Sequence, residues 1–416
     1  MKKLKLTEDR TATVLGIVVI LLVIFQIKPH WPTFKWDNAD VLINHVFSFD
    51  NLGHTLIVFF FSLLVMMLSD LLMGRSVVSS LRSFPVVFIL TFIGMTIGGN
   101  QFMNAWGFET VIFCLLIGLF ISNVFGTPIW LKNSLSSELF VKIGLVILGT
   151  TVLFGDLLKA GGLGLIQSVV VVFSVWYFSF WVCKKMKVDK EMSVMLSSAV
   201  SICGVSAAVA TAGVIKGDKV KLSYVVSLVL ICALPMIIFM PYLAKWLGLN
   251  APMAGAWIGG TIDTTGAVVA TGSIYGEEAL KYASIVKFSQ NVLLGIAAFI
   301  ISVYWTYTKK EVGEAEKPTA KVIWQRFPKF VLGFIGASLL FSFAVSDGVV
   351  VEAQPILKKM QGLWFALAFT SIGLETNIRS LVSKQNGKAT TAFLIAQLFN
   401  ILITLLVAWV LFGISW

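Results

Sequence analysis

A chain of 416 residues that is 57% hydrophobic and only 13% charged, at a mean hydropathy of +0.90, would leave most of its apolar surface bare in water. Its solvent is lipid. The formal charge of +11 excludes a nucleic-acid role less by size than by placement, because Lys and Arg stand in short clusters at the ends of apolar runs. Cys114, Cys183, Cys203 and Cys232 lie inside apolar segments without disulfide or metal spacing, so no metal site is expected.

The N-terminal MKKLKLTEDR and the apolar run behind it resemble a signal peptide, but QIKPHWPTFKW follows without a small-residue cleavage site, which favours a retained first helix. A span needs roughly 20 apolar residues. Such runs recur near 12–27, 54–73, 85–99, 105–123, 137–155, 161–183, 191–214, 222–244, 253–272, 279–307, 328–346, 361–380 and 389–412. The fold class is therefore an all-α polytopic membrane protein of about 13 transmembrane helices. Lys2, Lys3, Lys5 and Arg10, then Arg75 and Arg82, Lys184–Lys190, and Lys309–Lys329 fall on one side, which the positive-inside rule makes the cytoplasm of a cell (inner) membrane. One cluster resists: a full crossing at 191–214 leaves Lys216, Lys219 and Lys221 outside, offset only by Asp218. Either the rule is broken there or the segment turns back. The aromatic stretch 31–51, with His45 inside it and His30 and His54 at its edges, reads as an outside loop at headgroup level. KKEVGEAEKPTAKVIWQRFPK reads as an inside connector.

Three segments depart from plain Leu/Val/Ile/Phe. The first, SAVSICGVSAAVATAG at 198–213, is either a close-packing helix or a discontinuous one, opened at Gly204 beside Ser201, Cys203 and Ser206 so that half-helix amides face an anion. The second, 258–272, echoes it at an offset of 60, SICGVSAAVAT against TIDTTGAVVAT. It carries Asp263, with Thr264 and Thr265 beside it. A carboxylate at that depth costs roughly 2.5–3.5 kcal/mol, so it faces a cavity or a partner. Lys287, flanked by Ser289, Gln290 and Asn291, sits at a matching distance from the turn near 273–278; a charge pair with Asp263 and a snorkelling lysine both fit. The third segment, 365–381, holds Ser371, Thr376 and Asn377 with Glu375 and Arg379 four apart, which fits an ordinary ion pair or a second broken helix. Asp70 and Asp156, at span ends, read as solvated.

From about Leu115 onward these motifs, above all SSAVSICGVSAAVATAGVIK, GAWIGGTIDTTGAVVATG, IVKFSQNVLLG and FTSIGLETNIRSL, resemble the YeiH-like family of conserved hypothetical membrane proteins, to which sulfate export is attributed. That family is similar to the group of sodium/proton antiporters and bile-acid symporters. The resemblance implies a 5+5 inverted repeat, helices four to eight and nine to thirteen, with two broken crossing helices at Ser201–Ser206 and Ser371–Asn377. It implies three blocks: 1–104 with extra helices, 105–250 as repeat 1 and 251–416 as repeat 2. It also favours a full crossing at 191–214. Many relatives carry a His-Glu pair where this chain has Asp263-Thr264, so no proton-coupling histidine carries over.

The resulting expectation is a secondary active transporter of a small anion, sulfate or an organosulfonate, working by alternating access. Ser201, Cys203, Gly204 and Ser206, Thr264 and Thr265, Lys287, Ser289 and Asn291, and Ser371, Thr376 and Asn377 would hold the anion. Asp263, Lys287 and Glu375 would couple it to Na+ or H+, with no other cofactor; the partners are the bilayer, the solute and a second copy in a homodimer. The same Asp and Lys suit a sodium or other cation/proton antiporter as runner-up. An enzyme is not expected, since no span holds HExxH, paired aspartates or a serine with a usable histidine. A channel would line one helix face end to end, and a receptor would carry a signalling domain; neither pattern is present.

Overall fold

The computed structural model describes residues 5–105, 109–308, 327–377 and 387–413. In chain order its main helices are α1 (Glu8–Ile24), α2 (Phe49–Met73), α3 (Val77–Gly98), α4 (Thr110–Val124), α5 (Ser137–Leu148), α6 (Phe154–Lys185), α7 (Lys190–Ser198), α8 (Val205–Ile215), α9 (Lys219–Trp246), α10 (Ala251–Thr261), α11 (Thr265–Tyr275), α12 (Glu277–Thr308), α13 (Phe330–Leu339), α14 (Asp347–Glu375) and α15 (Gly387–Phe412). Among the described residues seven helical stretches are long and apolar enough to cross a bilayer, so the expected count of thirteen is not established. The expected connector 309–329 and Arg379 fall largely or wholly outside the described residues.

Two compact units share the chain: Met1–Asp156 with Lys329–Asn377, and Leu157–Pro328 with Ile378–Trp416. Neither follows the expected blocks 1–104, 105–250 and 251–416, because each unit gathers helices from distant parts of the sequence.

In the first unit α4 and α14 cross at glycine. A Cβ on Gly118 would lie 2.3 Å from the Thr370 carbonyl, and one on Gly373 would lie 2.5 Å from the Leu115 carbonyl. The hydroxyls around that crossing bond their own helix, Thr370 to Ala366 O, Ser371 to Leu367 O and Thr376 to Ile372 O. α14 therefore stays helical through Ser371 and Gly373 and ends at Glu375, with Thr376 extended; the chain leaves the helix within the expected stretch Ser371–Asn377, and residues 378–386 lie outside the described residues. The polar look of that segment is back-bonded hydroxyls and close packing.

In the second unit the interruptions are re-entrant hairpins, and neither is a crossing. A straight helix from 190 to 215 would cover about 39 Å. Yet Lys221, in the first turn of α9, reaches Asp189 at 2.7 Å and Glu191 at 3.3 Å, so α8 returns to the end where α7 began. This is hairpin 1, α7 and α8. The second pair, α10 and α11, repeats the geometry: Tyr275 Oη donates to the Leu249 carbonyl, and Lys245 to Ile274 O at 3.5 Å, which joins the two ends of hairpin 2. Its limbs lie along the same half of α12. Gly255 packs on Ala279 and Gly259 on Ala283, so α10 runs parallel to α12, while Gly272 packs on Leu280 and α11 runs antiparallel.

The sequence builds these bends locally. Asp189 accepts from Met192 N to start α7, Asn250 from Met253 N to start α10, and Thr264 from Ala267 N to start α11. At the tip of hairpin 1 a π-turn over Ala199–Cys203 ends at Gly204, whose φ of 57° and ψ of −111° suit glycine alone. Hairpin 1 opens at the N-terminal end of α9 and hairpin 2 at its C-terminal end, a continuous helix of 28 residues, so the two enter from opposite ends. The crossing favoured for 191–214 is thereby overturned. Lys216–Lys221 stand on the same side as Lys184–Lys190, and the charge anomaly disappears.

Candidate functional site

The two hairpin tips meet. A Cβ built on Gly204 would lie 3.0 Å from Asp263 Cβ and 2.7 Å from Val229 Cγ1, so the break in one hairpin touches the break in the other. The sequence echo at an offset of 60 is this pairing, since Cys203-Gly204 and Asp263-Thr264 are the two turning points.

Each tip gathers two kinds of helix end. The inbound limbs finish there with free carbonyls and the outbound limbs start there with free amides. The carbonyls are tied by side chains from α12 and α15. Lys287 donates to Ile202 O at 2.8 Å, Ile262 O at 2.9 Å and Gln290 Oε1 at 2.8 Å. Gln290 donates to Ser201 O and Gly260 O, and Asn400 to Val200 O and Thr261 O. Six carbonyls, three from each hairpin, are thereby satisfied by buried side chains. An unmade bond there would cost about 1–3 kcal/mol.

Lys287 is 1% exposed and spends its three donors on neutral oxygens. It therefore forms no contact ion pair with Asp263, and the charge pair expected from matched depth is replaced by a carbonyl clamp at that depth. Asp263 is 3% exposed, and its Oδ2 has no partner among the described residues.

The amide side is different. The first intrahelical bonds of the outbound limbs are Ala208 N to Gly204 O and Val268 N to Thr264 O, which leaves the amides of Val205, Ser206 and Ala207, and of Thr265 and Gly266, outside the ladder. Ser206 is exposed, Thr264 and Thr265 are half-buried, and Asn291 Nδ2 reaches Thr265 Oγ1 at 3.4 Å with its own Oδ1 unpartnered. Two helix N-termini of opposite origin, hydroxyls and a buried carboxylate thus converge. Such a cluster can hold a small anion and can take up a proton or cation at Asp263.

Of the residues expected from sequence, Gly204, Ser206, Asp263, Thr264, Thr265 and Asn291 gather here, with Lys287 behind them. Ser201 does not present its hydroxyl, which is buried and bonded to Ser197 O. Cys203 packs among Val172, Ile202 and Ala207, and Ser289 bonds Ile285 O and lies against Gly164. Ser371, Glu375, Thr376 and Asn377 belong to the other unit, where Ser137 donates to both Glu375 oxygens. Sequence reasoning missed Asn400 and Gln397, the latter donating to Thr261 O at 3.2 Å. Their signal was present as two amides one turn apart in the otherwise apolar AFLIAQLFNILITLL.

The model of the family described as conserved hypothetical protein 698 matches residues 82–408, reaching further toward the N-terminus than the motif resemblance did. A UPF0324 membrane protein of Rhodopirellula baltica is 37% identical over 82% of this chain and 64% of its own length, and one of Nitratidesulfovibrio vulgaris is 38% identical over 82% and 61%. Another, from Nitrosomonas europaea, is 28% identical over 80% of the chain and 76% of its own. The chain thus spans a little over three fifths of the first two relatives. No solved structure matches it. By the family match and these identities the chain belongs to the conserved hypothetical protein 698 family of UPF0324 membrane proteins, the family to which the YeiH-like proteins also belong.

Proposed function

We propose that this membrane protein is a secondary active transporter of a small anion, of the sulfate or organosulfonate class, with Asp263 coupling the solute to H+ or Na+. The observation that carries the reading is the meeting, at buried tips, of two outbound helix N-termini from opposite ends of the second unit, with an unpartnered carboxylate between them. Each N-terminus carries about half a positive charge and favours an anion. A charged Asp263 would repel that anion. Neutralising it with a proton or a sodium ion removes the repulsion, which makes binding of the two obligatorily linked. The reading includes no enzymatic step; it assigns the protein to the cell membrane with Lys184–Lys190 and Lys216–Lys221 in the cytoplasm, and a homodimer as its assembly.

Reconstituted proteoliposomes under imposed pH and sodium gradients test it. The expected result is gradient-driven uptake of sulfate or a sulfonate that Asp263→Asn uncouples. Absence of gradient-dependent flux for every anion tried would sink the reading. Sodium flux driven by a proton gradient without any anion would establish instead the cation/proton antiporter, which the unpartnered Asp263 Oδ2 also supports.

A further inference from the structure

We propose that Lys287 is a tethered cation filling a cradle built for a small monovalent cation of ammonium size, and that this ammonium, in place of any free ion, pins the two hairpin tips together. Ile202 O, Ile262 O and Gln290 Oε1 surround Nζ at 2.8, 2.9 and 2.8 Å, three acceptors for three N–H bonds. The two carbonyls stand sixty residues apart, at equivalent places in the echoing hairpins. Both lie where an inbound limb ends, the negative end of a half-helix. Gln290 is fixed by donating to Ser201 O and Gly260 O, which turns its carbonyl oxygen toward the ammonium. The cradle is all oxygen and formally neutral, the donor set of a hard monovalent cation and not of a transition metal. Asp263, one residue beyond Ile262, contributes no ligand to it.

Lys287 is by this account a positioning residue. It holds the tips in register for the amide site and touches neither solute nor coupling ion. The test therefore needs no transport: it measures melting of the purified full chain in detergent, in potassium, ammonium, sodium or choline chloride at one ionic strength. The parent should melt alike in potassium, ammonium and choline, and any gain in sodium alone belongs to Asp263 and not to the cradle. Lys287→Ala should melt lower in choline and regain about 1–2 °C, saturably, in potassium or ammonium at ten times the dissociation constant. Lys287→Met, whose side chain refills the space, should stay low in every salt. Melting of Lys287→Ala at the parent temperature in choline, or an equal response to all four salts, overturns the cradle. So does recovery of stability when Asp263→Asn is added to Lys287→Met, because the carboxylate would then be the true partner. Should Lys287→Ala not accumulate, Lys287→Gln decides: two N–H donors should place its melting between the parent and Lys287→Met, and a value at or below Lys287→Met overturns the proposal. Loss of the cradle would leave the anion reading standing, and absence of transport would leave the cradle standing.

Discussion

Residues 258–272 and 365–377 look alike as sequence, each a run of small and hydroxyl side chains carrying one acid, and they fold in opposite ways. In hairpin 2 the Thr264 oxygen accepts from Ala267 N and starts a new helix. In α14 the hydroxyls of Thr370, Ser371 and Thr376 donate backward to carbonyls four residues before them, and the helix continues past Thr370 and Ser371 to its end at Glu375. Direction of the hydrogen bond, more than composition, separates a break from a tight crossing. The acids follow the same division: Asp263 Oδ2 is orphaned at a tip, whereas both Glu375 oxygens accept from Ser137.

The contrast breaks outright if 191–214 crosses the membrane. With cysteine introduced at position 218, an impermeant thiol reagent should react only after the cell is permeabilised. Reaction in intact cells would make hairpin 1 a crossing and restore the five-plus-five arrangement. The next largest effect is expected at Gly204. Leucine there needs a backbone with positive φ and a Cβ 2.7 Å from Val229, so Gly204→Leu should lose transport and about 3 kcal/mol of stability or more. Transport at the parent rate would remove the tip from the mechanism.

Gly373 tests the other side. Its φ is not positive, but a Cβ would meet backbone atoms of α4 at 2.5–2.8 Å. Gly373→Ala should therefore destabilise by about 1–3 kcal/mol through helix separation, and leave the ion dependence of any remaining transport unchanged. A changed ion dependence would put α14 into the coupling machinery.

Much of this was legible in the sequence. Apolar runs place most of the helices and small residues mark the break at Gly204; the echo at an offset of 60 ties 258–272 to that segment without marking a break there, since 253–272 reads as one span and the second break is expected at Ser371–Asn377. The unbalanced Lys216, Lys219 and Lys221 named the hairpin as an alternative, yet the family resemblance weighed against it. The connection between limbs is settled by tertiary contacts such as Lys221 with Asp189 and Tyr275 with Leu249, pairs 32 and 26 residues apart that periodicity does not register. The Asp263–Lys287 pair failed for a related reason: depth along a helix follows from residue counting, but the choice of acceptor does not. Three carbonyl-type oxygens, from Ile202 and Ile262 at the two hairpin tips and from Gln290, reach the ammonium where the carboxylate does not.

A smaller pair of changes sharpens the rule on hydroxyls. Thr264→Ala removes an N-cap and should cost about 1 kcal/mol, read as a lower melting temperature. Ser371→Ala removes only a back-bond to Leu367 O and should stay within about 0.5 kcal/mol. Equal losses would mean that the direction of the bond does not matter.

The smallest expected effect lies at the base of hairpin 1, where Asp189 does two jobs. Its carboxylate accepts from Met192 N as the cap of α7 and from Lys221 Nζ at 2.7 Å as the tie across the hairpin mouth. Burial nudges this carboxyl upward, but the Lys221 hydrogen bond, the Met192 amide and the lysine charge outweigh it and hold it below the ordinary carboxylate range. A carboxyl held low contributes stability that is present above its unfolded value of about 3.9 and is lost as pH falls through the folded value. The side chain is 50% exposed, so water and salt screen most of the charge term, leaving well under about 1 kcal/mol. Asparagine caps a helix as well as aspartate does. Asp189→Asn should therefore shift melting slightly at neutral pH, by less in 1 M salt than in dilute buffer on the order of 0.1 M, and not at all once the parent carboxyl is protonated. Asp189→Ala should lose the cap as well, about 1 kcal/mol, at every pH. If asparagine proves as damaging as alanine in high salt, the charge holds the hairpin mouth shut more firmly than its exposure permits, and the closing force at that end must be sought in the charge pair and not in the tips.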